Sequence, residues 1–241
     1  MELISFSYSI WVVIVLIATT GCIAYVSGKL TLPASATGVI IALVIYFGAG
    51  LTGLAILAAF FLLGTVATSY KKEYKFKMQL VAANDERRTV SQVLANAGVA
   101  AILSVFTLVL EDNDPVFLVM IAASFSSAAG DTFSSEFGNV YGRNFYRIST
   151  FKKDERGLNG VISLEGTLFG ILGSVMIGLI YTIAKGWSFA FFAICISGIA
   201  GNLFDSLLGS IFERKGLLGN DAVNFLNTAF AALLAFLLMQ T

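Results

Sequence analysis

The feature that most constrains this chain is a series of apolar segments, each about as long as a bilayer is thick. Read in windows of about 20 residues, the sequence contains eight candidate spans: residues 4–26, 33–48, 51–69, 91–110, 116–137, 162–184, 187–209 and 221–239. Only Gly48-Ala49-Gly50 separates the second span from the third, which predicts a tight helical hairpin. A helix in lipid satisfies its backbone hydrogen bonds internally. We therefore predict an all-α, polytopic integral membrane bundle of about eight transmembrane helices, with residues 1–241 forming a single domain.

Composition supports a membrane protein and excludes several kinds of site. Charged residues make up 12% of the chain, about half the share found in soluble domains. The chain has no histidine, which excludes a histidine general base and a His-ligated zinc site. Cys22 and Cys195 both lie in apolar segments and do not suggest a disulfide framework. No cleavable signal pattern follows the first apolar segment, so we expect that segment to be a membrane span.

The basic residues predict an orientation in the membrane. With eight spans, fourteen of the fifteen Lys and Arg residues fall in loops on one side, and only Lys185 falls on the other. The short acidic loop at residues 111–115 also falls on that other side. Basic loops are typically cytoplasmic. We therefore predict that the basic loops face the cytoplasm of a bacterium, with the protein in its inner (cytoplasmic) membrane and both termini outside.

Polar residues within the apolar segments gather at the predicted cytoplasmic ends. Ionisable side chains at membrane depth are costly and by default indicate a functional site. Asp131 and Glu136 lie at the end of the fifth span, and Asp205 lies at the end of the seventh. The other residues at this level are Arg88, Gln92, Asn96, Glu165, Asn202, Asp221, Asn224 and Asn227. Their shared depth predicts a polar cavity that opens toward the cytoplasm.

Helical spacing places several of these side chains on common faces. Arg88, Gln92 and Asn96 recur at every fourth residue, which puts them on one face of a helix. A second face carries Asp131, Ser134, Ser135 and Gly138. Glu136 lies five residues after Asp131, roughly 140° around an ideal helix. It therefore joins Asp131 at one metal only if the helix breaks near Ser134, and otherwise it faces a different neighbour.

The residue types favour a magnesium-dependent site that handles phosphate. Mg²⁺ is typically held by one or two carboxylates together with substrate phosphates, and Asp131 and Asp205 are the best candidates for its ligands, with Glu136 a third ligand or a partner to them. The loop from Gly142 to Gly160 is rich in basic residues, Asn and Gly, and it leads into the sixth span. The candidate phosphate-binding residues in this region are Lys152, Lys153, Asn159, Gly160 and Ser163. Backbone N–H groups and helix N-termini bind anions in this way.

Each of these features also has a purely structural explanation. Orientation in the membrane alone can account for basic loops, above all the loop at residues 70–90. Asn96, Asn202 and Asn224 can hydrogen-bond neighbouring helices. Glu165 and Asp221 can stabilise the N-termini of their own helices. Asp131 and Asp205 can belong to buried ion pairs, and the glycines can serve close helix packing.

Several motifs together resemble one membrane family. They are Gly130-Asp131-Thr132 with Ser135-Glu136-Phe137-Gly138, the segment from Gly157 to Thr167, the segment from Arg88 to Gly98, the segment from Gly201 to Gly209, and Asn224-Phe225-Leu226. In this combination the chain resembles the family that includes plant phytyl-phosphate kinase. A weaker similarity extends to CTP-dependent dolichol kinase and to the CDP-diacylglycerol and CDP-archaeol synthases.

The resemblance implies nucleotide-dependent chemistry on an isoprenoid lipid phosphate. The expected reaction is phosphorylation of a prenyl monophosphate, of the phytyl or geranylgeranyl type, with CTP as co-substrate and Mg²⁺ as cofactor. Asp131, Glu136 and Asp205 would be catalytic, and Arg88, Gln92, Asn96, Glu165, Asn202 and Asn224 would form the polar cavity for the acceptor phosphate. The expected partners are the lipid bilayer, the prenyl phosphate and the nucleotide, and no nucleic acid. Cytidylyl transfer to a lipid phosphate and ion-coupled transport remain alternatives.

Overall fold

The protein is an all-α bundle, as predicted. The computed structural model describes residues 2–78, 87–110 and 115–240. Its helices are α1 (Glu2–Val26), α2 (Leu32–Ser69), α3 (Lys72–Lys77), α4 (Val90–Leu110), α5 (Pro115–Tyr141), α6 (Leu164–Lys185), α7 (Phe189–Ile211) and α8 (Asn220–Met239), with a 3₁₀ turn at Glu213–Lys215. In this described part of the chain, six helices are long and apolar enough to cross a membrane, and α1 adds a shorter apolar stretch, Ile10–Val26.

Helix α2 is a hairpin of two arms rather than one straight rod. Gly50 interrupts it with φ 65° and ψ −163°, a conformation that glycine adopts without a steric penalty. The arms pack side by side, because a Cβ added at Gly53 would lie 3.0 Å from Cγ2 of Ile45. The end of α2 also returns to the turn that precedes its first arm, where Lys29 Nζ donates to Ser69 Oγ at 2.9 Å. The chain therefore reverses where the Gly-Ala-Gly segment predicts a reversal, although the total of eight crossings and the single domain over 1–241 stay predictions.

Helix α5 lies at the centre of the bundle and contacts α2, α4, α6, α7 and α8. The α5–α6 contact is the closest, because small residues meet there: a Cβ added at Gly138 would lie 3.0 Å from Cα of Gly166, and one at Gly173 would lie 2.7 Å from the carbonyl oxygen of Ala129. Small residues let helix backbones approach in this way. Ser126 and Ser174 then join the two helices, each donating at 3.1 Å to the carbonyl of the other.

A compact loop connects α5 to α6 at the predicted cytoplasmic end. Two short antiparallel strands frame it, β1 (Tyr146–Arg147) and β2 (Val161–Ile162), with Tyr146 opposite Ile162. Helix α5 continues to Tyr141, four residues beyond the predicted end of the fifth span, and the loop begins at Gly142. The acidic loop at residues 111–114 and part of the 70–90 loop, residues 79–86, lie outside the described residues.

Candidate active site

A polar cavity of about 170 Å³ lies where the ends of α5 and α7 meet the start of α6. Asp131, Asp205 and Glu213 line it, and no lysine or arginine is among its lining residues. Three predicted phosphate-binding residues, Asn159, Gly160 and Ser163, line it as well. The remaining lining residues include Ser134, Ser135, Gly138, Asn139, Ser206, Gly209 and Asn220. The cavity is therefore acidic on the α5 and α7 side and presents backbone and amide groups on the loop side.

Asp131 and Asp205 come from different helices and meet in this cavity. Their carboxyl groups lie within interaction distance of each other. Asn227 on α8 donates its side-chain N–H to Asp205 Oδ1, and Ser127 on α5 donates to Asn227 Oδ1 at 2.9 Å. This chain of hydrogen bonds fixes the Asp205 side chain between three helices. Two adjacent carboxylates at this depth repel each other, and a divalent cation would relieve that repulsion.

The donor set fits Mg²⁺ better than a metal that needs many protein ligands. In the described part of the chain, no three side chains of the His, Cys, Asp and Glu types form a metal-binding group. Mg²⁺ is usually held by one or two carboxylates and completes its octahedron with water and substrate phosphates. Asp131 and Asp205 supply two oxygen donors of this kind.

The loop between α5 and α6 closes the cavity by packing on α7. Gly160 has φ +70°, and a Cβ added there would overlap the backbone of Ser210 and lie 2.5 Å from the carbonyl oxygen of Ser206. Only glycine fits this close contact between loop and helix. Arg214 Nε donates to the Asn159 carbonyl at 2.6 Å, and Arg214 Nη1 donates to Asp154 Oδ2 at 2.8 Å. The loop is thus held to α7 at Gly160 and to the following 3₁₀ turn at Asp154 and Asn159.

Asp154 organises the outer part of the same loop. It accepts from Arg147 Nε at 2.9 Å as well as from Arg214. The backbone N–H of Glu155, together with these two arginines, lowers the pKa of the Asp154 carboxyl below its usual value. Asp154 therefore stays ionised and connects β1 to the 3₁₀ turn.

Ser163 begins α6 at the edge of the cavity. Its Oγ accepts from the Gly166 backbone N–H at 3.1 Å, which makes it the N-cap of the helix. Serine is a preferred N-cap because it satisfies one of the free N–H groups of the first turn. Ile162, Ser163, Gly166 and Thr167 all line the cavity, so the positive end of the α6 dipole faces the acidic pair.

Glu136 is not brought to the Asp131–Asp205 pair. Helix α5 runs unbroken through residue 136 and turns this side chain toward Lys75 on α3. The Lys75 ammonium is 2.6 Å from Glu136 Oε2, and its side chain is only 1% exposed. The sequence left two alternatives for Glu136, a shared metal with Asp131 or a different neighbour. The structure shows the different neighbour, Lys75. It also places Lys75, which the sequence suggested was an orientation signal, inside the protein.

The remaining predicted site residues divide among three locations. Lys152 and Lys153 are exposed on the loop and do not line the cavity. Arg88, Gln92 and Asn96 line a second cavity, between α1, α2 and α4. Glu165 lies in the first turn of α6, and the Glu165 Oε2 atom accepts from the backbone N–H of Arg143 in the preceding loop at 3.4 Å. Asn202 and Asn224 are buried within the bundle, and Asn202 Oδ1 has no hydrogen-bond partner. The structure thus does not gather these residues into one acceptor pocket.

Asn139 and Glu213 line the cavity and were missing from the predicted site. Asn227, which the sequence placed at the level of the polar cavity, holds Asp205. Asn139 lies eight residues after Asp131 within α5, so the helical period of the Asp131 face is a signal for it in the sequence. Glu213 lies in the 3₁₀ turn after α7 ends at Ile211, so the helical period of the seventh span does not predict its position.

Comparisons with known proteins agree on one family. The profile of the family described as integral membrane protein DUF92 matches residues 15–232. An uncharacterised membrane protein of Methanocaldococcus jannaschii is 35% identical over 199 residues, covering 83% of this chain and 81% of the relative. The chloroplastic protein VTE6 of Arabidopsis thaliana is 33% identical over 199 residues, covering 79% of this chain and 60% of the relative. An uncharacterised membrane protein of Synechocystis is 28% identical, covering 81% and 77%. No solved structure matches the chain.

Proposed function

We propose that this chain, which belongs to the integral membrane protein family DUF92, is a membrane-embedded phosphotransferase. Its membership of the family confirms the predicted resemblance, and the proposal rests on that membership and on the acidic cavity. In this proposal it transfers a phosphoryl group from a nucleoside triphosphate, CTP, to a prenyl monophosphate. The choice of acceptor and of CTP rests on the motif resemblance to the family of plant phytyl-phosphate kinase. The proposed location is a bacterial inner membrane with the cavity facing the cytoplasm, although one plant relative is chloroplastic.

The observation that carries the proposal is the meeting of Asp131 and Asp205 in a cavity without basic side chains. A nucleotide triphosphate is strongly anionic, so such a cavity can accept it only together with a cation. Asp131 and Asp205 would hold that cation as Mg²⁺, which neutralises charge on the phosphates during phosphoryl transfer. Lys152 and Lys153 are not among the residues that line the cavity, so in this proposal the cation, rather than these lysines, neutralises the phosphates.

The other cavity residues would position the nucleotide. The backbone at Gly160, the amide of Asn159 and the first turn of α6 offer N–H donors to phosphate oxygens. Phosphoryl transfer depends mainly on position and charge rather than on covalent help from the protein. In the proposed reaction an oxygen of the prenyl monophosphate forms a bond to the γ-phosphorus of CTP. The bond from that phosphorus to the β-phosphate oxygen breaks, which releases CDP and the prenyl diphosphate.

The test is product analysis with the purified protein in nanodiscs, using phytyl monophosphate, Mg²⁺ and CTP labelled at either the α- or the γ-phosphate. Transfer of the γ-label to the lipid supports the kinase. Transfer of the α-label would instead show cytidylyl transfer, and no labelled lipid with any nucleotide would reject the proposal. Asp131→Asn and Asp205→Asn should each lower the rate by about 10² or more, as for other lost electrostatic groups. Glu155→Gln, which removes an exposed carboxylate outside the cavity, is the matched control and should keep the wild-type rate.

A further inference from the structure

A second cavity, of about 250 Å³, lies between α1, the two arms of α2 and α4. We refer to it as the α1–α2–α4 cleft. Most of its lining is apolar, with contributions from Ile17 and Ala24 on α1, from Val39 and Leu57 on the arms of α2, and from Val93 on α4. The cleft is open beside α1, because Leu16, which lines it, is 59% exposed. In a membrane this opening faces the acyl chains of the bilayer.

A cation lies at one end of the cleft. Arg88, Gln92 and Asn96 line this end, and no acidic residue is among the lining residues. The Arg88 guanidinium lies 5.7 Å from the Phe61 ring centroid. The Glu136 carboxylate, itself paired with Lys75, interacts with Arg88 electrostatically, but among the residues that the structure describes no carboxylate forms a direct ion pair with Arg88. A half-buried arginine beside an apolar cavity is complementary to an amphipathic anion. The planar guanidinium binds two phosphate or carboxylate oxygens at once, and the cavity accepts the apolar part of the anion.

The charged end of the cleft adjoins the helix that carries Asp131. A Cβ added at Gly64 would lie 3.0 Å from Arg88 Nη2 and 3.8 Å from Cγ2 of Thr132. Thr132 follows Asp131 on α5, so the head end of the cleft and the acidic cavity approach the same turn of α5 from different sides. A ligand head group at Arg88 would therefore lie next to the turn that holds the acidic pair.

We propose that the α1–α2–α4 cleft binds the apolar chain of a single-chain lipid monophosphate, with the phosphate on Arg88. The choice of a phosphate head group rests on the proposed function, and the cleft itself is argued from its lining and charge. Its volume lies just below the range of about 300–1,000 Å³ that is typical of small-ligand pockets, which suits one chain better than the two chains of a phospholipid. Arg88 supplies the charge, and the exposed side beside α1 gives a lateral entry from the membrane.

The test is photolabelling with a long-chain alkyl monophosphate that carries a diazirine near the end of its chain. The full-length protein is reconstituted in nanodiscs without nucleotide, and labelled peptides are mapped by mass spectrometry. We expect labels at the end of the cleft away from Arg88, on Leu16 and Ile17 of α1 and on Leu54 and Leu57 of α2. Labels spread over the lipid-facing surfaces of α6 and α7 instead would overturn the proposal.

Gly38→Phe fills the cleft without a clash at the point of attachment. Gly38 lines the cleft, and a Cβ added there would meet only Leu30 Cδ1, at 4.0 Å. The matched control is Ile40→Phe, on the same arm of α2 but 61% exposed. We expect Gly38→Phe to lower labelling by about tenfold, equivalent to about 1.4 kcal/mol of binding free energy, and Ile40→Phe to leave it unchanged. Equal labelling of both variants and the wild type would reject the cleft as the binding site.

Arg88→Gln tests the head group independently of the filling variant. We expect about tenfold weaker labelling by the monophosphate probe and no change for the corresponding neutral alcohol. An equal response of the two probes would overturn the role of Arg88, and equal competition by phosphatidic acid would overturn the single-chain ligand. Because no nucleotide is present, labelling in the cleft supports this site even if the kinase assay fails. Prenyl phosphorylation without labelling here would support the kinase and reject the cleft.

Discussion

The buried ion pair between Lys75 and Glu136 offers the sharpest test of how the helix ends are held together. Lys75 Nζ donates to Glu136 Oε2 at 2.6 Å, to the Thr68 carbonyl at 2.8 Å and to the Ala67 carbonyl at 3.2 Å. These contacts join α3, the end of α2 and the C-terminal half of α5. Lys75→Met keeps a long unbranched side chain and removes all three donors, so it isolates the polar contribution.

The structure sets the size of the expected loss. Removing one partner of a buried ion pair typically costs about 3–5 kcal/mol, because the other charge stays buried without compensation. The Glu136 side chain is 19% exposed, so water reaches its carboxylate in part, and we expect a loss near the lower end, about 3 kcal/mol. In a chain of this size each kcal/mol lowers Tm by about 2–4 °C, so the expected decrease is about 6–12 °C.

Thermal unfolding in detergent, followed by intrinsic fluorescence, measures this decrease. The control is Lys77→Met, which removes an exposed lysine from the same short helix and should change the free energy of unfolding by less than about 0.5 kcal/mol. Glu136→Gln alone should also destabilise the protein. The double variant Lys75→Met/Glu136→Gln should lose less than the sum of the two single losses, because the pair is removed together.

Two results would refute this reasoning. Equal Tm values for Lys75→Met and Lys77→Met would mean that Lys75 contributes nothing as a buried partner. A strong rise in the Mg²⁺ requirement of Glu136→Gln, without any loss of stability, would mean that Glu136 is a metal ligand after all. We expect instead a nearly unchanged Mg²⁺ requirement and a clear loss of stability.

Three further predictions concern orientation and the loop. With the two native cysteines replaced, Phe151→Cys and Trp187→Cys should react with a membrane-impermeant maleimide from opposite sides, and reaction of both from one side would contradict the predicted orientation. Gly160→Ala and Gly216→Ala both place alanine at positive φ, +70° and +68°, but only Gly160 is packed against another backbone. Gly160→Ala should therefore raise the KM for CTP and lower Tm well beyond the effect of Gly216→Ala, and equal effects would show that close packing at Gly160 is unimportant. Because the pKa of Asp154 is lowered on folding, the Asp154 carboxylate should stabilise the protein at neutral pH. This stabilisation should disappear only as the pH falls below about 4, through the folded pKa. Asp154→Asn should remove the acid-dependent loss of stability when unfolding is measured as a function of pH, and an unchanged pH dependence would contradict this prediction.

The parts of the fold that depend on local pattern could be predicted from the sequence. The helices follow from long apolar runs, and the reversal of α2 follows from the Gly-Ala-Gly segment that ends at Gly50. The face that carries Asp131 was predicted because the helical period is a property of the backbone alone. All four residues assigned to that face, Asp131, Ser134, Ser135 and Gly138, line the acidic cavity.

Contacts between distant segments could not be predicted in the same way. Lys75 precedes Glu136 by 61 residues, and nothing in the local sequence distinguishes it from the exposed lysines beside it. The loop lysines posed the opposite problem, since a basic loop before a helix is compatible both with phosphate binding and with membrane orientation. In the structure Gly160 packs on α7, and Asn159 and Gly160 line the cavity whereas Lys152 and Lys153 do not.

The close glycine contact between α5 and α6 has a mechanical consequence. Where backbones touch, a helix cannot slide or tilt without steric overlap, so α5 and α6 should move as one stiff body when bilayer thickness or lateral pressure changes. Helix α1 packs mainly on α2 and exposes Trp11, Val15 and Ile23 to the surroundings, so it can follow such changes. We therefore expect thinner or thicker bilayers to alter the opening beside α1 while the spacing of Asp131 and its neighbours on α6 stays constant.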